Sequence, residues 1–311
     1  MAGGAPAAAA VPQPRSPADH GRTRWLDGIR FAAAMFVVLH HCWLWAFPGY
    51  PRNTGPWYLG WMLYGQLAVV VFIVVSGYSL TLAPSRNGFV LRGGAKTFAS
   101  RRAWRILPPY WAALVLSVLV VSFVVHPDTS AQTAAKSFAV YGLLLQDVVN
   151  SASPNGAFWS IAVEAQIYLL FPLMLYLRRR YGALPTAAIV TVVGSALEVL
   201  AHNVSVFARY DRLTPQLAID FAFGMAAVDV VSNDRFKGRR IPMLGLSAVL
   251  LAGGIVAMNL LGSQTAVRQY FSVEVVVGII TAIAFRGFAG PARSRVREFF
   301  QSRPMVAGGR F

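Results

Sequence analysis

Apolar stretches long enough to cross a lipid bilayer recur along almost the whole chain. A helix needs about 20 apolar residues to span the hydrocarbon core. Such runs occupy residues 31–45, 57–82, 106–125, 158–177, 183–200, 213–231, 243–261 and 271–288. The first is short and needs Ile29 and the stem of Arg30 to reach across. With 56% hydrophobic and 13% charged residues, the sequence predicts an all-α, polytopic transmembrane helical bundle of about eight to nine spanning helices.

The basic residues follow the pattern of a membrane topology. A net charge of +16 would suit a nucleic-acid-binding protein, but the Lys and Arg residues lie in short loops between the apolar runs. When alternate loops are assigned to the cytoplasm, 21 of these residues lie inside and five outside. We therefore expect a cytoplasmic N-terminus and a multi-pass protein of the cell inner (plasma) membrane. Its surroundings are the lipid bilayer, and we expect no nucleic-acid partner.

Two segments do not fit a spanning helix. Residues 1–24 are rich in Ala, Pro and Gly, with no basic residue before their short apolar run. This composition predicts a disordered cytoplasmic tail, followed by one membrane domain over residues 25–311. The moderately apolar residues 136–149 would invert every later loop if they crossed fully. We interpret them as an outer half-helix or a re-entrant piece.

The first candidate site lies in the stretch "LDGIRFAAAMFVVLHHCW", residues 26–43. Ionisable side chains inside a bilayer are costly and usually mark a site or a pathway. Arg30 and His41 are eleven residues apart, which places them on one helix face about 16 Å apart along the axis. His40 points about 100° away from that face and is the weaker candidate.

The second candidate is the Ser76-Gly77 pair within "VVVFIVVSGYSL". Small residues let transmembrane backbones approach each other, so close helix packing is the favoured interpretation. The alternative is that Gly77 leaves room for a ligand.

The third candidate is "SRRAWRILPPYW", where Arg101, Arg102 and Arg105 precede a Pro-Pro pair that we place at the start of a helix. One interpretation is a positively charged anchor at the cytoplasmic side of the membrane. The other is a phosphate site, because guanidinium groups match phosphate oxygens and a helix N-terminus adds its dipole. The residues alone leave both open.

The fourth candidate is "FWSIAVEAQIYLLFPL", in which Glu164 lies inside an apolar run and shares a helix face with Tyr168. A carboxylate at that depth is neutral, paired or hydrated, so a structural ion pair with an arginine of another helix competes with a catalytic role. The remaining polar residues of the apolar runs form no metal cluster or nucleophile triad, and we expect no metal. They are Glu198 with His202, Asp220, Asp229 and Glu274.

Taken together, these four stretches resemble acyltransferase family three, a family of integral-membrane acyltransferases. The family carries an arginine and, eleven residues later, an essential histidine in its first helix, a Ser-Gly element in its second, an Arg-Ile-x-Pro stretch in its third and a later Trp-Ser-x-x-x-Glu pattern. The matching segments here are "LDGIRFAAAMFVVLHH", "VVSGYSL", "RRAWRILPPYW" and "FWSIAVEAQIYLLFPL". A second acidic residue commonly follows the glutamate, where this chain has Ala165. The resemblance also implies a final helix after "SRPMVAGGRF", which we expect this chain to lack.

The resemblance implies transfer of an acyl group, most simply acetyl, from cytoplasmic acyl-CoA to a sugar hydroxyl. The acceptor is expected to be a carbohydrate of a cell-surface glycan or a glycosylated small molecule. His41 is the expected general base or transient acyl carrier. The other expected catalytic residues are Glu164 and Arg30, and the expected donor-binding residues are Arg101, Arg102, Arg105, Ser76 and Gly77.

A transporter is the competing class of function. Arg30, His41 and Glu164 would then form a proton relay through the bundle of a proton-coupled membrane transporter. Helices broken at matching positions in two halves would favour transport, and the sequence shows no such inverted repeat. A non-catalytic membrane scaffold is a third possibility.

Overall fold

The computed structural model describes residues 17–204, 213–232, 243–289 and 294–310, and these residues form helices and loops without a strand. The helices are α1 Pro17–Ala46, α2 Gln66–Ser85, α3 Gly94–Val120, α4 Ala131–Gly142, α5 Trp159–Tyr181, α6 Ala183–Asn203, α7 Pro215–Ser232, α8 Met243–Leu261, α9 Ser263–Arg268, α10 Tyr270–Ala289, α11 Arg295–Phe300 and α12 Arg303–Gly308. A 3₁₀ helix, Trp57–Tyr64, precedes α2. The predicted all-α fold class is confirmed.

Eight helices of the described residues are long and apolar enough to cross a membrane. They cover Thr23–Ala46, Gln66–Ser85, Gly94–Val125, Gly156–Tyr181, Ala183–Asn203, Pro215–Ser232, Met243–Leu261 and Tyr270–Ala289. Each corresponds to one of the apolar runs of the sequence, so the predicted spans are confirmed. The second predicted run was too long, because its first part forms the 3₁₀ helix rather than a continuation of α2.

The chain divides into two compact units, and the smaller one comprises Met1–Ala32 and Pro291–Phe311. In its described part, the first turns of α1 pack against the C-terminal helices. Gly28 approaches the backbone of Phe300 too closely for a side chain, and Gly309 approaches the backbone of Asp27 in the same way. Residues 17–24 are helical, which differs from the predicted disordered tail, and residues 1–16 of that tail lie outside the described residues.

The larger unit, Ala33–Gly290, is organised around α7. This helix packs against α2, α6 and α10, and its buried residues are distributed over every face. Gly77 on α2 lies against the Phe221 carbonyl of α7, while Gly224 on α7 lies against the Val74 carbonyl of α2. The two glycines thus let the two backbones meet without intervening side chains. This is the packing role weighed above for Gly77.

Gly77→Ala is expected to destabilise the protein because the new methyl group would overlap the Phe221 carbonyl. Overpacking of this kind costs about 1 to 3 kcal/mol. Gly253→Ala is the matched control, since no described atom lies within 4 Å of a methyl group at that helical position. Thermal unfolding in detergent measures both. An unfolding temperature for Gly77→Ala equal to that of Gly253→Ala would contradict the close approach of α2 and α7.

Helix α3 begins earlier than the sequence predicted. We placed the helix start at the Pro-Pro pair, but α3 starts at Gly94, after Gly93 in the left-handed conformation at φ 78°. Pro108 and Pro109 lie inside the helix, as transmembrane helices tolerate when neighbouring groups satisfy the freed carbonyls. The arginine cluster at residues 101–105 therefore lies inside α3, away from its N-terminus. The expected contribution of the helix dipole to phosphate binding at these arginines is wrong.

The segment predicted as a half-helix does not span. Helix α4 has 12 residues, about 18 Å at 1.5 Å per residue, and it is not among the eight candidate spans. It docks on α3 through two side-chain hydrogen bonds. The Tyr110 hydroxyl donates to the Tyr141 carbonyl at 2.9 Å, and the Trp111 indole donates to the Gly142 carbonyl at 2.9 Å. A helix of this length is too short to cross the hydrocarbon core, which agrees with the non-spanning interpretation of residues 136–149.

A buried arginine ties α5 to α7. The Arg178 side chain is 1% exposed. It donates to the Met225 carbonyl at 2.6 Å and to Asp229 at 2.5 Å, and it lies over the Phe89 ring at 4.5 Å from the ring centre. A buried guanidinium needs such partners, so this group fixes the ends of two spanning helices together.

Arg178→Ala is expected to lower the free energy of unfolding by about 1 to 3 kcal/mol. Loss of one partner of a buried pair costs more, but Asp229 is half exposed and regains water. Arg179→Ala is the control, because the neighbouring Arg179 is exposed. Thermal unfolding in detergent compares the two. Equal unfolding temperatures would show that the Arg178 contacts do not stabilise the fold.

Candidate active site

Three of the four sequence motifs meet between α2, α3 and α5. The Tyr168 hydroxyl donates a short hydrogen bond to Glu164, one turn earlier on α5. The Arg102 guanidinium of α3 lies over the Tyr168 ring at 5.6 Å from its centre. Ser76 of α2 also interacts with the Tyr168 hydroxyl. The structure therefore brings a carboxylate, a phenol, a guanidinium and a hydroxyl together, and we call this group the Tyr168 cluster.

The three arginines of the third motif occupy different environments. Arg102 is half-buried and also lies over the Phe98 ring at 5.8 Å. Arg101 and Arg105 are exposed. Among the described residues, Arg102 makes ring contacts without a hydrogen bond from its N–H groups. These donors are available to a ligand, and a forked set of N–H groups suits a phosphate.

The two histidines of α1 have different partners. His41 is half-buried, and its Nδ1 lies 2.8 Å from the Val37 carbonyl of the same helix. His40 uses Nδ1 to reach the Met62 carbonyl of the 3₁₀ helix at 2.8 Å. Because a carbonyl only accepts, each bond places a proton on Nδ1 and leaves Nε2 of a neutral ring with a lone pair. Within the described part of the chain, the hydrogen bond of His41 stays inside α1, whereas that of His40 joins α1 to the 3₁₀ helix.

A further polar network lies near His40. The Tyr50 ring meets the His40 ring edge-on at 6.4 Å, and its hydroxyl donates to the Tyr270 hydroxyl at 3.5 Å. Burial raises the pKa of Tyr50, so this hydroxyl stays protonated. One turn further along α10, Glu274 accepts a hydrogen bond from Gln66 of α2 at 2.5 Å. The His41 ring meets the His40 ring at 5.2 Å and therefore lies beside this network, whereas Glu164 belongs to the Tyr168 cluster.

Arg30 belongs to the smaller unit, where it pairs with Asp27 at 2.9 Å. The Arg30 side chain is 21% exposed. The spacing of three residues in "LDGIR" is that of a helical ion pair, so this partner could have been found from the sequence. Gly77, also predicted to bind the donor, lies in the contact between α2 and α7.

The comparison with known protein families decides the identity of the chain. A family model described as an acyltransferase domain matches residues 23–300. The chain belongs to acyltransferase family three. The matched residues include all four motifs, and together with the eight candidate spans the match makes this family member a multi-pass membrane protein.

The curated relatives of this family member include a nodulation protein and proteins named as O-acetyltransferases. Nodulation protein 10 of Rhizobium leguminosarum bv. viciae is 26% identical over 225 residues, which is 66% of this chain and 58% of that protein. O-acetyltransferase OatA of Staphylococcus aureus is 26% identical over 195 residues, 58% of this chain and 30% of that protein. Peptidoglycan O-acetyltransferase OatA of Listeria monocytogenes is 24% identical over 186 residues, 55% of this chain and 27% of that protein.

The chain thus spans little more than half the length of the nodulation protein and under a third of the length of the two OatA proteins. No solved structure matches the chain.

The sequence indicated Arg102, Glu164 and Tyr168 separately or in pairs, but it did not indicate Phe98 as the ring beneath Arg102. An aromatic residue four positions before an arginine on a helix is the signal for this contact.

Proposed function

We propose that this protein is a membrane O-acyltransferase that moves an acyl group, most simply acetyl, from acyl-CoA to a hydroxyl of a sugar. The observation that carries the proposal is the acyltransferase domain match over residues 23–300. Two relatives named as O-acetyltransferases support the acetyl group and the hydroxyl acceptor, and one of them is named for peptidoglycan. By analogy, the proposed acceptor is a carbohydrate of a cell-surface glycan or a glycosylated small molecule.

His41 is the proposed general base. Its Nε2 accepts the proton of the attacking sugar hydroxyl while the oxygen forms a bond to the thioester carbonyl. The carbon–sulfur bond then breaks, and the proton passes to the thiolate of CoA, so the reaction releases one thiol for each ester formed. The hydrogen bond from Nδ1 to Val37 supports this role, since it fixes the tautomer in which Nε2 is the base.

The Tyr168 cluster is the proposed donor site. CoA carries phosphates, and the half-buried Arg102 offers them N–H donors that no described residue accepts. Arg105, three residues further on the helix, adds positive charge, and Arg101 extends it on the exposed side. Glu164 accepts a hydrogen bond from the Tyr168 hydroxyl, and the Tyr168 ring packs against the Arg102 guanidinium.

The proposed orientation places the donor side in the cytoplasm. The excess of Lys and Arg in alternate loops supports a cytoplasmic N-terminus and insertion in the inner (plasma) membrane. With this orientation the loop between α2 and α3, which leads to the arginines of α3, is cytoplasmic. Acyl-CoA is a cytoplasmic metabolite, so the proposed side of the arginines agrees with the proposed donor.

Proteoliposomes containing the full chain test the proposal against a transporter. Acetyl-CoA is supplied on one side, with and without a soluble carbohydrate acceptor, and thiol release and proton movement are followed together. The acyltransferase predicts thiol release that depends on the acceptor and no steady proton flux. Proton flux without thiol release would contradict the proposal and would favour the transporter.

A further inference from the structure

Two fully buried carboxylates lie in the membrane-spanning part of the larger unit, outside the residues used above for catalysis and donor binding. Asp220 of α7 and Glu274 of α10 are each 0% exposed. They are close enough to interact electrostatically. Both oxygens of Asp220 and Oε2 of Glu274 have no hydrogen-bond partner among the described residues. Charged groups without partners at such a depth are strongly unfavourable.

Neutral amides complete the surroundings of the two carboxylates. Gln216 lies one turn before Asp220 on α7, hydrogen-bonds to Glu274 and is 7% exposed. Its Oε1 also has no partner in the described part of the chain. Gln66 of α2 donates to Glu274 at 2.5 Å. Four unpaired oxygens from three nearly or fully buried side chains therefore lie in one small region between α7 and α10.

A glycine on α10 makes room for one of the carboxylates. Gly278 lies one turn after Glu274, and a methyl group there would overlap Oδ1 of Asp220. Asp220 thus lies level with Gly278, and Gln216 lies near Glu274. The two helices therefore run in the same direction at this point. Gln216 faces Glu274, and Asp220 faces the space left by Gly278, which we call the notch.

Protonation alone does not satisfy these atoms. A neutral Asp220 would still have one donor and one acceptor without partners, because neither of its oxygens has a described hydrogen-bond partner. Glu198 of α6, another acid close enough to act on Glu274, pairs with His202 and supplies no positive charge. The site needs partners for the unpaired oxygens and a positive charge beside the two carboxylates. A bound cation supplies both.

We propose that Asp220, Glu274 and Gln216 bind a hard cation between α7 and α10. Hard cations such as Ca²⁺, Mg²⁺ and Na⁺ are bound through oxygen atoms. Among the described residues, no group of three His, Cys, Asp or Glu side chains has the arrangement of a metal cluster. The proposed site offers only oxygen ligands, from two carboxylates and one amide, and this favours a hard ion over a transition metal. The ion would hold α7 and α10 together at the centre of the larger unit.

Thermal unfolding of the full chain in detergent tests the site without relying on enzymatic activity. The protein is first treated with a chelator in N-methylglucamine chloride. NaCl, CaCl₂ or MgCl₂ is then added at constant ionic strength. A ligand that binds only the folded state at a hundred times its Kd is expected to raise the unfolding temperature by about 3 °C or more. The salt that does so identifies the ion.

Three variants decide whether the response comes from this site. Asp220→Asn keeps the shape and removes one charge, and Gly278→Ala fills the notch without changing the charge. Both are expected to lose the stabilisation by the cation. Glu198→Gln is the control. It replaces a neighbouring acid outside the site by its amide, and it is expected to keep the stabilisation by the cation. Glu274→Gln replaces Asp220→Asn if the latter fails to fold.

The wild-type measurement can overturn the proposal by itself. An unfolding temperature that none of the three salts raises at constant ionic strength would exclude the cation. A response that Asp220→Asn and Gly278→Ala both retain would place the cation elsewhere in the molecule and contradict the site. Neither outcome depends on acyl transfer, so the site and the proposed function stand or fall separately.

Discussion

His41→Ala is expected to lower the rate of acyl transfer by a factor of about 100 or more, the usual contribution of a general base. The variant removes Nε2, the nitrogen that the Nδ1 bond to Val37 leaves with a lone pair. The folded state should persist, because the hydrogen bond of His41 to the described residues lies within α1. The measurement is thiol release from acetyl-CoA in the presence of a carbohydrate acceptor. Gel filtration in detergent checks that the variant remains folded.

His40→Ala is the matched control for His41→Ala. It removes an imidazole from the adjacent position, where the ring anchors α1 to the Met62 carbonyl. We expect a lower unfolding temperature and a much smaller loss of acyl transfer. Equal losses of activity in the two variants, or full activity in His41→Ala, would show that His41 is not the base.

Arg102→Gln is expected to raise the apparent KM for acetyl-CoA about tenfold or more. A tenfold change corresponds to about 1.4 kcal/mol, which is close to the lower end of the range of about 1.5 to 3 kcal/mol for a hydrogen bond to a charged group. Steady-state kinetics at several donor concentrations measure the change. Added salt should weaken donor binding to the wild-type protein and have a smaller effect on the variant.

Arg101→Gln separates donor binding from membrane anchoring. It removes the same charge from the adjacent position, but Arg101 is exposed and Arg102 is half-buried over Tyr168. The donor-site hypothesis predicts a clear rise in KM only for Arg102→Gln. If both variants change expression and topology alike and leave KM unaltered, the arginines serve as a positively charged anchor.

The positions of the spans could be predicted from the sequence because length and hydropathy determine them. Residues 243–261 were predicted with the bounds that α8 has. The pairing of Glu164 with Tyr168 was also predictable, because a spacing of four residues places two side chains on one helix face. The start of α3 was not, since proline usually marks a helix start in soluble proteins and this helix continues through two prolines.

The contacts between helices could not be predicted, because they depend on how each helix is rotated about its axis. Arg101 and Arg102 are neighbours in the chain, and the rotation of α3 decides which one meets Tyr168. In the sequence, Asp220 and Glu274 are polar residues of separate apolar runs. Only the packing of α7 against α10 brings these two carboxylates together.

The most direct test of the proposed acyl transfer measures both products in one reaction. The purified full chain receives acetyl-CoA and a carbohydrate acceptor, thiol release is titrated, and the O-acetyl ester on the sugar is quantified by mass spectrometry. We predict one ester for each thiol released, and loss of both products in His41→Ala. Thiol release without an acetylated sugar, or ester formation unchanged in His41→Ala, would contradict the proposed reaction.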